Sequence, residues 1–518
     1  MYKFRVLYLL LILTAVGFIL RLNNIAERSL WTDEFFTLFE STGHGVEAHD
    51  FLNRLSKNNS IELLKARDFK SYLENDRYKS IKDVTTGVFK TDTHPPFYFW
   101  VMNAWMKIFG DSVLAIRFFS VLLGLFTIIL AYQVGKLLFG MAVGNFCALF
   151  VSVCAFSVRY SQEVRPYSLI LVVALLSWIF LLRFEKSTRN LDAFWFTILS
   201  SCGVYTHFFY VFIVLAQFMY FSIIYRNNTE KLNKFYLALV CLLLILSIGF
   251  MPLIKNGYNF QYTEWIFGYP GLAGKLASFC CGIFNYFLIF DSNVKSGVVF
   301  ILACLFIIIS VFYTSKKAAV KYSRQVFFCL IMFLTPIVSM FLIDIIENGE
   351  LLRQERFWMF SFLGFIPLMG YLLNYVFLKN KIALFLIVSV LIFFSLLSNR
   401  VQFGPAPKYT SNWINQESFG KVSAVFIYNI RSAVFAQAYY LDNDIYLIPV
   451  SNEEQLKKGI NKISDFTDRI FMVRHYHRSE NSLMSQLFME TKDIDPGFRF
   501  IKEIRKDSIS VAEYGKLI

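Results

Sequence analysis

The chain has 518 residues, of which 56% are hydrophobic, 18% aromatic and only 17% charged, with a formal net charge of +14. Soluble domains run about 45–50% apolar and about 25% charged, so a soluble fold could not hide this much apolar surface; disorder, collagen and coiled coil are excluded on the same grounds. The apolar residues come in long unbroken runs rather than in alternation, which argues against a β-barrel and for a polytopic α-helical membrane protein.

Lys3 and Arg5 precede an apolar run to Leu20 with no small-residue cleavage site, so this run reads as an uncleaved first span. Crossing the hydrocarbon core takes about 20 apolar residues, and about eleven runs qualify, near 4–21, 113–138, 142–158, 167–183, 193–209, 210–225, 235–253, 297–313, 326–343, 357–377 and 382–398. With the N-terminus cytoplasmic, Lys136, Arg183, Lys186, Lys231, Lys234, Lys316, Lys317 and Lys379 all fall inside. The basicity is then topological and needs no nucleic acid.

Residues 97–109 are too short to span. Asn103 and Lys107 share a face at i, i+4, and Trp100 and Trp105 suit headgroup level, so a helix lying on the membrane is expected. Residues 276–290 read as re-entrant or juxtamembrane, since counting them as a span would place the basic stretch 316–324 outside. The polar regions are a first loop over 22–96, a second around 254–275 and a C-terminal domain over 400–518, beyond a transmembrane domain over 1–399. In the C-terminal domain, β-rich runs (422–428, 445–450, 469–473, 498–504, 508–514) alternate with helical patterns (431–441, 452–462, 480–490), which predicts a small α/β unit. All eight Cys lie in or beside apolar runs, so neither a disulfide framework nor a zinc pattern is present.

The residues able to do chemistry gather on one side of this topology. Asp33 and Glu34 follow the first span in SLWTDEFFT, and His94 closes the first loop in TDTHPPFYFW. Glu163, Arg165 and Tyr167 occupy the short outer turn RYSQEVRPYSL, His207 ends a span in YTHFF, and Arg356 opens another in RQERFWMF. Each has a plainer reading. An Asp-Glu pair can complement a helix dipole, a boundary Arg can snorkel to headgroups, and charges two apart can be solvated turn residues.

Taken together, SLWTDEFFT, HPPFYFWVMNAWMKIFG, RFFSVLLGLFTIILAYQVGKLLFG, RYSQEVRPYSL and YTHFF resemble the GT-C membrane glycosyltransferases, nearest to the bacterial protein O-mannosyltransferase and aminoarabinose–lipid A transferase group. The likeness covers about residues 20–225 and thins to Arg356-Phe357 and Pro367 beyond. It implies a GT-C fold with periplasmic juxtamembrane helices in a bacterial inner membrane, and a sugar donor on a polyprenyl phosphate. It also implies transfer on the periplasmic side to a lipid, glycan or protein hydroxyl. Asp33 matches the family's catalytic acid, Glu34 completes its Asp-Glu motif, and Glu163 best matches its second acidic position. His94 matches its basic or His position, where the aminoarabinose enzymes carry Lys; a histidine there is expected as a pH-dependent phosphate ligand.

The chemistry follows from the residue types. A carboxylate at Asp33 can accept the acceptor's proton during an inverting attack. Arg165, His94 and Arg356, with Tyr167 and His207, can hold the leaving phosphate or the acceptor. No metal is required on this reading, although Asp33, Glu34 and Glu163 are hard oxygen ligands that could hold a divalent ion. The competing readings are a lipid-linked sugar flippase, which would want ionisable groups at the bilayer midplane, and a receptor whose outer domain binds a partner.

Overall fold

In lipid a backbone has no partner but itself, so apolar runs of sufficient length close into helices. The protein, seen here as a computed structural model, is described over residues 2–57, 61–251, 275, 282, 286–287, 298–401, 407–428, 432–450, 452–475, 498–506 and 509–516. Six of the described helices are long and apolar enough to cross a membrane: Val113–Phe139, Tyr167–Ser187, Thr229–Gly249, Val320–Ile346, Glu355–Lys379 and Lys381–Ser398. Shorter apolar helices cover Leu7–Leu22, Met141–Val153 and Tyr210–Tyr225. The chain is a multi-pass helical membrane protein.

Three expected spans take a different form. The run 142–158 is not one helix: Met141–Val153 stops at Cys154 (φ −69, ψ 125), and a short helix Ala155–Tyr160 follows. Hydropathy cannot register this break, because the carbonyls it frees are satisfied by groups distant in sequence. The runs 297–313 and 326–343 lie in one helical stretch, Val298–Ile346, interrupted at Tyr322 (φ −131, ψ 42). Most of the stretches 254–275, 276–290 and 480–490 lies outside the described residues.

Helices approach closely where a side chain is missing. A Cβ on Gly364 would stand 2.4 Å from the Phe333 nitrogen and 2.6 Å from the Cys329 oxygen, so only glycine lets Val320–Ile346 and Glu355–Lys379 pack as they do.

The chain divides into two compact units. One comprises Met1–Ile25, Thr93–Val101 and Leu114–Val401; the other comprises Ala26–Asp92, Met102–Val113 and Gln402–Ile518. The second unit joins the polar first loop to the C-terminal α/β region.

Its sheet has six strands, β1 (Leu64–Lys65), β2 (Ser423–Tyr428), β3 (Tyr446–Val450), β4 (Arg469–His475), β5 (Phe498–Lys506) and β6 (Ile509–Lys516), in the order β1-β3-β2-β4-β6-β5. β2 runs parallel to β3 and β4, through the crossover helices Ser432–Tyr440 and Glu453–Ile463. Strands covered on both faces read as continuous apolar runs, and Ala424, Val425, Phe426 and Ile427 are all buried. β6 returns antiparallel to β4 and pairs with β5. β1 belongs to the first loop: Leu64 pairs with Leu447 and Lys65 with Tyr446. A two-residue strand has no periodicity to detect, and its partner lies far along the chain.

Helix 97–109 is present as Phe97–Phe109. Its polar stripe meets the first loop, where buried Asn103 donates to the Ser41 carbonyl at 2.7 Å and Lys107 donates to the Lys79 carbonyl at 2.8 Å. Ile108 and Phe109 are exposed.

The core between first loop and C-terminal helix is aromatic. The Phe435 ring lies 4.5 Å from Phe39, 5.7 Å from Phe69, 5.9 Å from Tyr72 and 6.3 Å from Phe51. Phe435→Ala should therefore cost about 3–5 kcal/mol of stability, read as a lowered thermal midpoint of the purified full chain. A change below about 1 kcal/mol would show that these rings do not form a common core.

Candidate functional site

The site in the membrane unit is built on the broken helix. Met141–Val153 ends with carbonyls that have no partner in their own helix, and Arg21, fully buried at the end of the first helix, supplies donors to them. Its Nη2 donates to the Val151 carbonyl (3.0 Å) and Ser157 Oγ (2.9 Å), and its Nη1 to the carbonyls of Ser152 (3.2 Å) and Gly17 (3.1 Å). Its Nε donates to Ser161 Oγ at 3.2 Å. A guanidinium has five N–H groups, and all five are used. Gln162 adds bonds from its amide to the carbonyls of Arg21 (2.7 Å) and Asn23 (2.9 Å), and Ser120 Oγ donates to the Glu163 carbonyl at 2.6 Å. Pro166, with its fixed φ and absent N–H, then opens the helix Tyr167–Ser187.

The turn between these helices is charged and dry. Arg159 and Glu163 are each 2% exposed, Arg165 is 3% and His207 is 5% exposed. The solvated-turn reading of Glu163 and Arg165 is therefore wrong. Arg159 Nε pairs with Glu163 Oε1 at 3.2 Å, at i, i+4. Burying two ions costs several kcal/mol each before their attraction returns any of it, so the arrangement is poor value for stability alone. Tyr167 is buried, its ring edge-on to Tyr160 at 5.2 Å.

Two histidines complete the cluster. Arg165 Nη2 lies 3.2 Å from His94 Nε2. Arginine only donates, so His94 Nε2 must accept and its ring is neutral, with Nδ1 facing Thr93 Oγ1 at 3.4 Å. His94, expected as a pH-dependent phosphate ligand, here accepts from Arg165. The His207 ring stands at 83° to that of His94, with centroids 5.0 Å apart, and packs against Phe209 (5.2 Å) and Phe360 (5.0 Å). The Phe209 N–H donates to His207 Nδ1 at 3.1 Å, so His207 is also neutral and carries its proton on Nε2. That Nε2 is buried with no hydrogen-bond partner among the described residues. Arg165 and Arg356 are the cations that bear on this ring, with neutral His94 against it. Arg356 is half-buried, its guanidinium 5.6 Å from the centre of Phe357.

In the second unit, Asp33 and Glu34 open the helix Thr32–Thr42. Glu34 is fully buried and accepts from the Trp31 N–H at 3.2 Å, which caps the helix. Asp33 is half-exposed, and its carbonyl accepts from Thr37 Oγ1 at 3.1 Å. Leu30 N–H donates to Tyr440 at 2.8 Å, and Phe35 stacks edge-on to Tyr439 at 5.8 Å, so the helix Ser432–Tyr440 carries this element. Among the described residues no group of three or more His, Cys, Asp and Glu is placed to hold a metal ion.

Sequence reasoning passed over Arg159, Arg21 and Gln162. The i, i+4 spacing of Arg159 and Glu163 was an available signal. For Arg21 the sequence held only an arginine at the end of a span, where snorkelling is the ordinary reading.

Residues 93–253 match the model of a family described as dolichyl-phosphate-mannose-protein mannosyltransferase. That stretch contains His94, the buried turn and His207. An uncharacterized protein of Aquifex aeolicus is 30% identical over 159 residues, 30% of this chain and 31% of the relative, so the match spans under a third of that relative's length. Among solved structures, ArnT from Cupriavidus metallidurans bound to undecaprenyl phosphate superposes with a TM-score of 0.57 at 10% identity, over 97% of this chain and 97% of that one. Archaeal oligosaccharyltransferase AglB from Archaeoglobus fulgidus, in complex with an inhibitory peptide and a dolichol-phosphate, gives 0.51 at 13% identity, over 91% of this chain and 69% of that one. These likenesses show the fold, which this chain shares with ArnT and AglB.

If the buried pair is integral to the turn, Glu163→Gln should destabilise the protein by about 3–5 kcal/mol by removing the carboxylate in contact with Arg159. An Arg159→Leu/Glu163→Leu double variant should recover part of this, and a double-mutant cycle on thermal midpoints measures the coupling. Arg21→Lys, offering three donors where five acceptors wait, should cost on the order of 3 kcal/mol. A loss within about 0.5 kcal/mol would show that the acceptors find water instead.

Proposed function

We propose that the protein is a membrane glycosyltransferase that moves a sugar from a polyprenyl-phosphate-linked donor to a hydroxyl acceptor. One observation carries the reading: the buried, unpartnered Nε2–H of His207, among groups of net positive charge. A buried donor left unmade costs about 1–3 kcal/mol, and an anionic oxygen arriving there would repay that cost. Support comes from two proteins of the same fold, ArnT and AglB, solved with undecaprenyl phosphate and a dolichol-phosphate respectively.

Within this reading the donor's phosphate is bound by His207 Nε2, the Arg165 guanidinium and Arg356. The lipid chain stays in the bilayer, for which the exposed apolar helix surfaces provide the setting. The acceptor oxygen attacks the anomeric carbon as the bond from that carbon to the phosphate oxygen breaks. The acceptor's proton passes to a carboxylate, and polyprenyl phosphate leaves with the electron pair. Asp33, carried forward from the resemblance, is the proposed base, and a single displacement inverts the anomeric centre. Glu34, by capping its helix, fixes the turn on which Asp33 sits. Glu163, paired with Arg159, shapes the site, with Tyr167 behind it. Neutral His94 steers the Arg165 guanidinium by accepting from it. The periplasmic face of a bacterial inner membrane is the proposed side, with the N-terminus cytoplasmic. The acceptor class is a lipid, glycan or protein hydroxyl.

Transfer from a labelled polyprenyl-phosphate sugar, followed in membranes by product chromatography and by mass spectrometry of envelope glycolipids, tests the reading. His207→Ala and Arg165→Ala should each lower the rate about 10²–10³-fold, and Asp33→Asn about 10²–10⁴-fold, with expression unchanged. Full transfer in the Asp33→Asn variant would remove Asp33 as base. Unchanged transfer in both site variants would remove the phosphate site.

A further inference from the structure

The helix Thr32–Thr42 carries a second acid, Glu40, seven residues after Asp33 and so on the same face two turns on. Its side chain is 2% exposed. The slot that holds it is walled by two glycines: a Cβ on Gly45 would stand 2.2 Å from Oε2, and one on Gly87 would stand 2.6 Å from it. No lysine, arginine or histidine pairs with Glu40 among the described residues, and its hydrogen-bond partner there is Thr91, 2.6 Å from Oε1. Oε2 has no partner.

A proton count ties the state of this acid to the direction of the Thr91 hydroxyl. Thr91 Oγ1 lies 2.6 Å from Glu40 Oε1 and 2.9 Å from the Gly87 carbonyl, yet a hydroxyl has one hydrogen to give. The carbonyl can only accept. If the hydroxyl hydrogen goes to the carbonyl, the short contact to Glu40 must have its hydrogen on the carboxyl. Burial, and then the neighbouring Asp92 carboxylate, push the acid well above the usual carboxylate range; a Thr91 hydroxyl turned toward Glu40 instead of Gly87 would pull it the other way. The other charges nearby are otherwise engaged or face water. On the helix Gly45–Lys57, Glu47 is taken by Lys79 and His44, His49 is half-buried, and Asp50 and Arg54 are exposed. On the helix Ile81–Thr91, Asp83 caps with Ser80, and Lys82 and Lys90 are exposed. The helix Ser432–Tyr440 brings no charge.

We infer that Glu40 is a positioning residue held as its neutral acid. Its O–H donates to Thr91, whose hydroxyl donates to Gly87, and this latch locks the helix bearing Asp33 onto the helix Ile81–Thr91, whose cap is Asp92. The consequence for transfer rests on the proposed role of Asp33; the latch itself does not.

The sign of the pH effect follows from linkage. An acid protonated in the fold and ionised when unfolded gives stability that is complete below its unfolded pKa and is lost as pH rises toward its folded one. Glu40→Gln keeps a donor toward Thr91 and cannot ionise. The full-length protein, purified in detergent, should therefore fall behind the Glu40→Gln variant in thermal midpoint as pH rises from about 5 to about 9. The folding equilibrium of the wild type should lose up to about tenfold per pH unit relative to the variant. Thr91→Val should lower the midpoint at every pH, and Thr91→Ser should restore it. In transfer assays Glu40→Gln should keep near wild-type turnover while Glu40→Ala loses kcat more than KM. Parallel midpoints for wild type and Glu40→Gln across the range, or a Gln variant that fails to fold, would overturn the neutral acid. Absence of any transfer by the wild type would defeat the proposed function and leave the midpoint result to stand or fall alone.

Discussion

Arg21 gives each of its five N–H groups to a different acceptor, and the membrane unit is arranged around that fact. A helix that stops inside an apolar protein strands its last carbonyls, and stranding them costs more than most single contacts return. A lysine has three donors and no planar fork, so it could not close the same set. Because Arg21 absorbs the cost, the chain can break at Cys154, turn through a short helix and re-enter at Pro166. The segment Arg159–Arg165 thereby holds three charged residues, Arg159, Glu163 and Arg165, that water scarcely reaches.

Dry charge is what phosphoryl-bearing substrates need. In a low-dielectric site each donor is worth several times its value in water and does not have to reorganise when negative charge develops. Arg165 is held by a neutral His94, and His207 is left with a donor and no acceptor. The second unit follows the same economy with different materials. Aromatic rings around Phe435 bind the first loop to the C-terminal helix, and a capped helix carries Asp33.

Much of this was legible before any coordinates. Long apolar runs specify helices because lipid leaves the backbone no alternative, and the quoted motifs were enough to place the chain among GT-C proteins by fold. The parallel strands of the C-terminal region stood out as continuous apolar runs. What could not be read was non-local. Leu64 and Lys65 join a sheet whose other strands begin beyond residue 420, and two residues have no pattern. The break at Cys154 is invisible to hydropathy because its compensation sits on Arg21. The candidates Glu163 and Arg165 were found as charges in a turn, but their burial depends on packing from several helices. His94 is legible in the sequence as a pH-dependent ligand, and its neutrality follows only from the donor that Arg165 presents to it. That Glu34 accepts from the Trp31 N–H three residues before it is a local contact.

The most direct test is an experimental structure of the full chain with undecaprenyl phosphate bound. The account predicts a phosphate oxygen within about 3 Å of His207 Nε2, with Arg165 donating to the same group and Arg21 still holding the broken helix. A phosphate bound elsewhere, with His207 Nε2 still buried and without an acceptor, would contradict it.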